Sequence, residues 1–201
     1  MFISFEGIDG SGKSTQAKEL ATYLKGIGKD VILTREPGGA PGAELIRKLL
    51  VEGDKDRWSP ETEILLFNAA RRDHLERTIR PALKSGKILI TDRFADSTRV
   101  YQGVARADLS DFVNDLHRLA IGVEPDLTFV LDTDPKDSLE RGLARGTGED
   151  RFEDFGLSFQ ESLRQGFLAL AKTEARFKVI DGQRAIEPIA KEIAAIVDAA
   201  L

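Results

Sequence analysis

Short, nearly uniform apolar blocks alternate along this chain with longer stretches whose apolar positions recur every three or four residues. The blocks are Met1–Glu6, Asp30–Thr34, Lys87–Thr91, Asp126–Asp132 and Phe177–Asp181. Each reads as a strand buried on both faces, the pattern of a parallel sheet rather than a half-solvated one. Helical spacing fills the intervals. A helix begins near Lys13 and buries Ala17, Leu20, Ala21 and Leu24, and Ala43–Val51 carries Leu45, Leu49 and Leu50 on one face. Ser59 is placed to cap a helix with Pro60 at its first position, running through Ile64, Leu65, Phe67, Arg71 and Leu75 to a break near Pro81. Further helices are predicted over Ser110–Ile121, from Pro135, over about Leu157–Glu174 and over Glu187–Ala200. Strands alternating with helices imply an α/β fold, a five-stranded parallel sheet with helices on both faces, within one domain over residues 1–201.

Between the first strand and the first helix stand Gly7, Ile8, Asp9, Gly10, Ser11, Gly12, Lys13, Ser14 and Thr15. This is G-x-x-x-x-G-K-[ST] in its confirming context, a P-loop, and it makes the fold one of the P-loop NTPase type. Backbone N–H groups of such a loop converge on phosphate oxygens at a helix N-terminus that favours anions. Lys13 is expected to reach the β- and γ-phosphates of a nucleoside triphosphate, and the Ser14 hydroxyl to ligate Mg²⁺.

Composition narrows the field. With 41% apolar and 31% charged residues, the chain has an ordinary globular balance. It has no cysteine, so disulfides, thiolate metal sites and cysteine catalysis are excluded; a reducing cytoplasm is the expected setting. No apolar run approaches a membrane span, and the N-terminus reads as a strand rather than a signal peptide. A net charge of −5 argues against a general nucleic-acid binder. Phosphate binding must then come from focused charge.

Ligands of parallel α/β sheets gather at the carboxyl ends of the strands. Those ends carry Glu6 to Lys13, Arg35-Glu36, Asp92-Arg93, Asp132 and Asp181. Asp92 and Asp132 share the local pattern of an acid that positions Mg²⁺; Asp92 is preferred because Arg93 sets a phosphate-side cation beside it. Arg141 and Arg145 lie one helical turn apart, before a glycine-rich stretch and Arg151. They suit a lid over about residues 141–153 that brings cations to a transferring phosphoryl group, or else an exposed basic face. Gly10 leaves the P-loop without an arginine, so the catalytic cation must come from elsewhere. Phe67 and Arg71, four apart, read from spacing alone as a core ring beside a surface arginine, with stacking on a base as the alternative. Ser97, Thr98, Tyr101 and Gln102 by themselves make a polar loop, and His74 and His117 read as surface histidines without metal spacing.

These residues together give the chain a full-length resemblance to the bacterial thymidylate kinase family. The shared stretches are Phe5–Gln16, Thr34-Arg35-Glu36-Pro37-Gly38-Gly39, Leu66–Arg71, Asp92–Gly103 and Leu139–Arg151. The resemblance implies transfer of the ATP γ-phosphoryl group to dTMP, with Mg²⁺, by a homodimer. It also implies roles. Arg93 would bridge the acceptor phosphate and the migrating group, Asp9 would lie near the sugar 3′-hydroxyl, and Tyr101 would crowd the 2′ position. Phe67 would stack on thymine, Arg71 would contact its O4 edge, and Thr98 and Gln102 would complete base recognition beside Ser97. Glu36 and Arg47 would line the acceptor site, and Gly10 with Arg141, Arg145 and Arg151 resembles the lid-arginine type. Phe94 and Val100 depart from the family pattern, the first losing a polar group and the second adding bulk. Rival readings are a kinase for another nucleoside or nucleoside monophosphate, or a P-loop switch; the Asn-Lys-x-Asp signature of guanine-specific switches does not occur.

Overall fold

The structure is a computed structural model that describes residues 1–54, 57–105, 108–143 and 156–201. In chain order it runs β1 (Phe2–Glu6), α1 (Lys13–Gly26), β2 (Val31–Arg35), α2 (Pro41–Val51), α3 (Pro60–His74) and α4 (Arg80–Lys84). There follow β3 (Ile88–Asp92), α5 (Ala95–Thr98), α6 (Ser110–Ala120), β4 (Leu127–Asp132) and α7 (Pro135–Leu143). The chain closes with α8 (Leu157–Leu170), β5 (Phe177–Asp181) and α9 (Ile186–Asp198). The five strands form one parallel sheet in the order β2-β3-β1-β4-β5, as the apolar blocks predict. Because β3 lies on one side of β1 and β4 on the other, the loop leaving β1 opens at the topological switch point, where α/β sheets bind ligands.

Successive strand residues point to opposite faces, and the core divides accordingly. Ile3, Phe5, Ile88, Ile90, Phe129 and Leu131 face α1 and α9, where Leu20, Leu24, Ile189 and Ile193 cover them. Phe2 and Leu89 face the other way against Leu75, Ile79 and Phe94, while Val130 packs with Phe159, Leu163 and Phe167 of α8. Buried side chains of this kind stabilise by roughly 1.5–3 kcal/mol each. One buried acid spans the second layer: Asp96 of α5 accepts from Arg99 at 2.6 Å and from Arg176, just before β5, at 2.7 Å.

Four expectations are corrected. The helix does not break near Pro81. A π-helical turn over Leu75–Ile79 widens the spiral, Arg80 N–H bonds to Leu75 O, and α4 continues through the proline. That wider turn supplies the room the proline ring lacks in a regular α-helix. The segment after β3 is helical rather than a polar loop, α5 running into a π-helical stretch over Arg99–Ala105. Its polar groups Thr98 and Gln102 are buried, which only tertiary packing determines. His74 and His117 are buried, not superficial: His74 is held between Glu36 and Thr34, and His117 lies 3.0 Å from Glu124. On α2, Leu50 is buried while Leu45 and Leu49 are exposed. Arg145, Arg151 and most of the expected lid lie outside the described residues.

β1 ends on Glu6, wholly buried at the sheet's edge. Its Oε1 accepts from the Phe94 N–H at 2.7 Å and its Oε2 from the Ser97 hydroxyl at 2.6 Å. Burial, helped by the charge of Asp96, pushes its carboxyl from 4.5 up to about 8, against the opposing pull of Ser97, Arg93 and Phe94. The folded chain therefore binds this proton more tightly than the unfolded one. Stability from that source is complete below about 4.5 and is lost as pH rises towards about 8. We expect thermal unfolding to show a melting temperature that declines across this window, and Glu6→Gln to flatten the decline. Equal slopes in the two proteins would clear Glu6 of the effect.

Candidate active site

The P-loop joins β1 to α1 as its sequence requires. Lys13 is buried in the first turn of α1 and donates to the Ile8 carbonyl at 2.7 Å. Burial and the neighbouring Arg93 bring its ammonium down to about 8, against the pull of Asp9, Asp92 and Glu6. An arriving phosphate would restore the charge. Ile8 packs in the core and offers only backbone to the loop, while Gly7, Ser11 and Gly12 complete the turn and Thr15 lies in the first turn of α1. Gly10 has a left-handed φ of 77°, and a Cβ there would lie 1.9 Å from the Ser138 carbonyl oxygen of α7. No side chain fits at that position while α7 stays where it is.

The two candidate acids separate cleanly. Asp132 is engaged by Arg164 of α8 through two bonds of 2.6 and 3.0 Å. Asp92 instead accepts from the Ser14 hydroxyl through Oδ2, and its buried Oδ1 has no hydrogen-bond partner. A buried carboxylate oxygen left over beside the P-loop hydroxyl fits a Mg²⁺ site. Among the described residues no group of three or more His, Cys, Asp or Glu could cage a metal.

Next to Asp92, Arg93 has φ 70°, alone among the described non-glycine residues in being left-handed. Such a backbone costs an ordinary residue roughly 1–2 kcal/mol. It persists because its surroundings determine it: Arg93 N–H bonds to Phe5 O at 2.9 Å, Thr91 Oγ1 donates to Arg93 O at 2.9 Å, and Glu6 fixes the next N–H. The side chain is as tightly held. One η nitrogen donates to Ser97 Oγ at 2.9 Å and the Gly7 carbonyl at 3.3 Å. The other donates to Asp9 Oδ1 and to the Tyr101 hydroxyl at 3.0 Å, and Tyr101 in turn donates to Asp9 Oδ2 at 2.7 Å. Burial works against the charge of Arg93, but Tyr101, Asp9, Asp92 and Glu6 hold it, and its pKa lies above its ordinary value. Burial likewise opposes ionisation of Asp9, yet Arg93 and Lys13 keep that carboxyl below its usual range.

From this cluster a cavity of about 270 Å³ extends to a second one on α3. Here Phe67 is half-buried and Arg71 buried, the reverse of a core ring beside a surface arginine. Arg71 donates through Nε to Glu36 at 2.7 Å and through Nη2 to Thr98 Oγ1 at 3.1 Å and Phe94 O at 3.2 Å. His74 bonds the other Glu36 oxygen at 2.9 Å, so Glu36 clamps α3 to the end of β2. Arg47 lines the same cavity and donates to Pro37 O at 2.6 Å; Gln102 lines it from the far wall. The Phe94 ring packs edge-on to Phe2 at 4.9 Å and lies under the Arg71 guanidinium at 5.2 Å, and the bulk of Val100 is met by Gly166, where a Cβ would come within 2.8 Å of it. Arg141 stands apart from the cavity, exposed in the last turn of α7 and donating to Ser138 Oγ at 3.2 Å.

The cavity thus collects Asp9, Lys13, Ser14, Glu36, Arg47, Phe67, Arg71, Asp92, Arg93, Ser97, Thr98, Tyr101 and Gln102, all anticipated from the sequence. Sequence reasoning missed the supporting layer of Glu63 and His74. Glu63, Phe67 and Arg71 fall at i, i+4 and i+8 on α3, a spacing that could have drawn attention to the first of them.

A family model described as thymidylate kinase matches residues 5–193. The chain is 66% identical over 194 residues to the thymidylate kinase of Dinoroseobacter shibae, covering 96% of this chain and 94% of that protein. It is 51% identical to the thymidylate kinase of Caulobacter vibrioides, over 98% and 95% of the two chains. The crystal structure of thymidylate kinase from Ehrlichia chaffeensis superimposes with a TM-score of 0.79 at 37% identity, covering 98% of each chain. Matches of that length, on a fold whose sheet opens at a P-loop, leave one conclusion: the chain belongs to the thymidylate kinase family.

Proposed function

We propose that this chain moves the γ-phosphoryl group of ATP onto dTMP across Arg93, with ATP on the P-loop and the acceptor in the cavity between Arg93 and Phe67. The continuity of that cavity, from Lys13, Ser14 and Asp92 at one end to Phe67, Arg71 and Gln102 at the other, carries the reading. The nucleophile is an oxygen of the acceptor phosphate, whose second pKa is about 6, so it is largely ionised near neutral pH without a strong base. The protein's part is positioning and charge stabilisation. Lys13 and the loop amides hold the donor phosphates, and Arg93 bridges acceptor and migrating group. Asp9 and Tyr101 face the sugar, Ser97 steadies Arg93, and Glu36 and Arg47 line the acceptor wall. Ser14 and Asp92 would hold Mg²⁺, which when bound neutralises charge on the β- and γ-phosphates.

Arg141, and with it Arg145 and Arg151, is proposed to bring further positive charge to the donor from a lid over about residues 141–153 of a single domain. The obstruction of Gly10 by α7 supports a catalytic arginine outside the P-loop. A homodimer is proposed from the exposed Leu45, Leu49, Leu65, Phe112 and Leu119, which lie on α2, α3 and α6. Among the described residues no helix is long and apolar enough to cross a membrane, and a cytoplasmic setting is part of the same proposal.

The substrate assignment is tested with a panel of monophosphates, ATP and Mg²⁺: dTMP should turn over fastest, and faster turnover of dCMP, AMP or GMP would reject it. Arg93→Ala should lower kcat by ~10³-fold, by analogy with arginine fingers, while ATP binding measured calorimetrically changes little. Unchanged turnover would remove Arg93 from the mechanism. Light scattering should give twice the chain mass for the wild type and a shift towards one chain mass for Leu65→Glu combined with Leu119→Glu. A wild-type protein of single chain mass would end the dimer proposal.

A further inference from the structure

Glu63 lies on α3 one turn before Phe67 and is wholly buried. Its Oε2 accepts from Nε2 of Gln102 at 3.2 Å. Gln102 is itself buried and lines the cavity beside Arg71 and Thr98. An amide side chain can present either a carbonyl oxygen or an NH₂ group, and alone it reads a donor and an acceptor equally well. A carboxylate can only accept. With the Gln102 NH₂ group turned to Glu63, the carbonyl oxygen is the other end of the amide, the one not engaged by Glu63. Arg71, beside it, can only donate.

We propose that Glu63 is a specificity-determining positioning residue: it locks the Gln102 amide so that the cavity offers a fixed donor next to a fixed acceptor. That pair matches a pyrimidine edge with a carbonyl oxygen beside a ring N–H, as in thymine and uracil. Cytosine presents an amino group and an unprotonated ring nitrogen at the same two places, so donor meets donor and acceptor meets acceptor. Buried mismatches of this kind are where hydrogen-bonding sites gain their discrimination, because the site's own groups are left unpaired. The low-dielectric surroundings of Glu63 make its grip on the amide firmer than at a surface. The inference rests on the reading of Phe67, Arg71 and Gln102 as the base subsite.

The test measures kcat and KM for dTMP, dUMP and dCMP in the wild type, Glu63→Gln, Gln102→Leu and their double variant, with melting temperature and ATP affinity recorded alongside. Glu63→Gln should lower the ratio of kcat/KM for dTMP over dCMP by about tenfold or more, because an amide at position 63 can hold Gln102 in either orientation and so removes a penalty of about one mismatched buried hydrogen bond against cytosine. The change should fall mainly on the KM for dCMP, with dUMP following dTMP because the two share an edge. In the Gln102→Leu background, Glu63→Gln should change the ratio no further. The exchanged pair Glu63→Gln with Gln102→Glu again points an acceptor into the cavity, and should restore the preference for dTMP even if the single variant folds poorly. An unchanged ratio in Glu63→Gln, an equal loss in the Gln102→Leu background, or no preference in the exchanged pair would each overturn the proposal. Phe67→Ala separates the two layers: if the KM for dTMP does not rise, the base subsite is elsewhere and the inference falls with it. If that KM rises while Glu63→Gln leaves the ratio alone, only the role of Glu63 is lost.

Discussion

The P-loop side of the sheet's carboxyl edge is arranged around one guanidinium. Arg93 carries its positive charge in a largely buried position, on a backbone that sterics disfavour, and both are maintained by groups from four segments: Gly7 and Asp9 of the P-loop, Ser97 of α5, Tyr101 of the π-helical stretch and Glu6 of β1. Taking a charge out of water is costly unless it is paired and hydrogen-bonded. Here the partners are themselves fixed by the sheet, so the arginine is organised before any nucleotide arrives. Preorganised charge of this sort stabilises a phosphoryl-transfer transition state without reorganising during the reaction.

The neighbouring carboxylates then divide their labour by environment rather than by type. Asp132 is satisfied by Arg164, Asp9 by Arg93 and Tyr101, and Glu36 by Arg71 and His74. Asp92 alone of these four retains a buried oxygen without a partner. What separates Asp92 from the other three is therefore which oxygens the protein has already used, and its spare oxygen is the one the proposed Mg²⁺ site would draw on.

Much of this was legible from the residues. The five strands were visible because a parallel sheet buried on both faces demands uninterrupted apolar runs, and the P-loop because its glycines and Lys-Ser pair have few other uses. The residues at strand ends followed from the sheet's polarity. What escaped was decided by packing between distant segments. Whether Arg71 is buried depends on Glu36, thirty-five positions earlier, and no periodicity within α3 encodes it. His74 looked superficial for the same reason. The helix through Pro81 escaped because the π-helical turn that admits the ring has no short-range signature, and the helical segment after β3 because its buried hydroxyls and amide resemble loop chemistry.

The seat of α7 on the P-loop has a bearing on how this sequence can drift. Since the carbonyl of Ser138 occupies the space above Gly10, a single codon change cannot convert the loop to one that bears its own cation. That exchange requires α7 to shift at the same time. The loop and the helix above it are tied together at this position by one backbone oxygen.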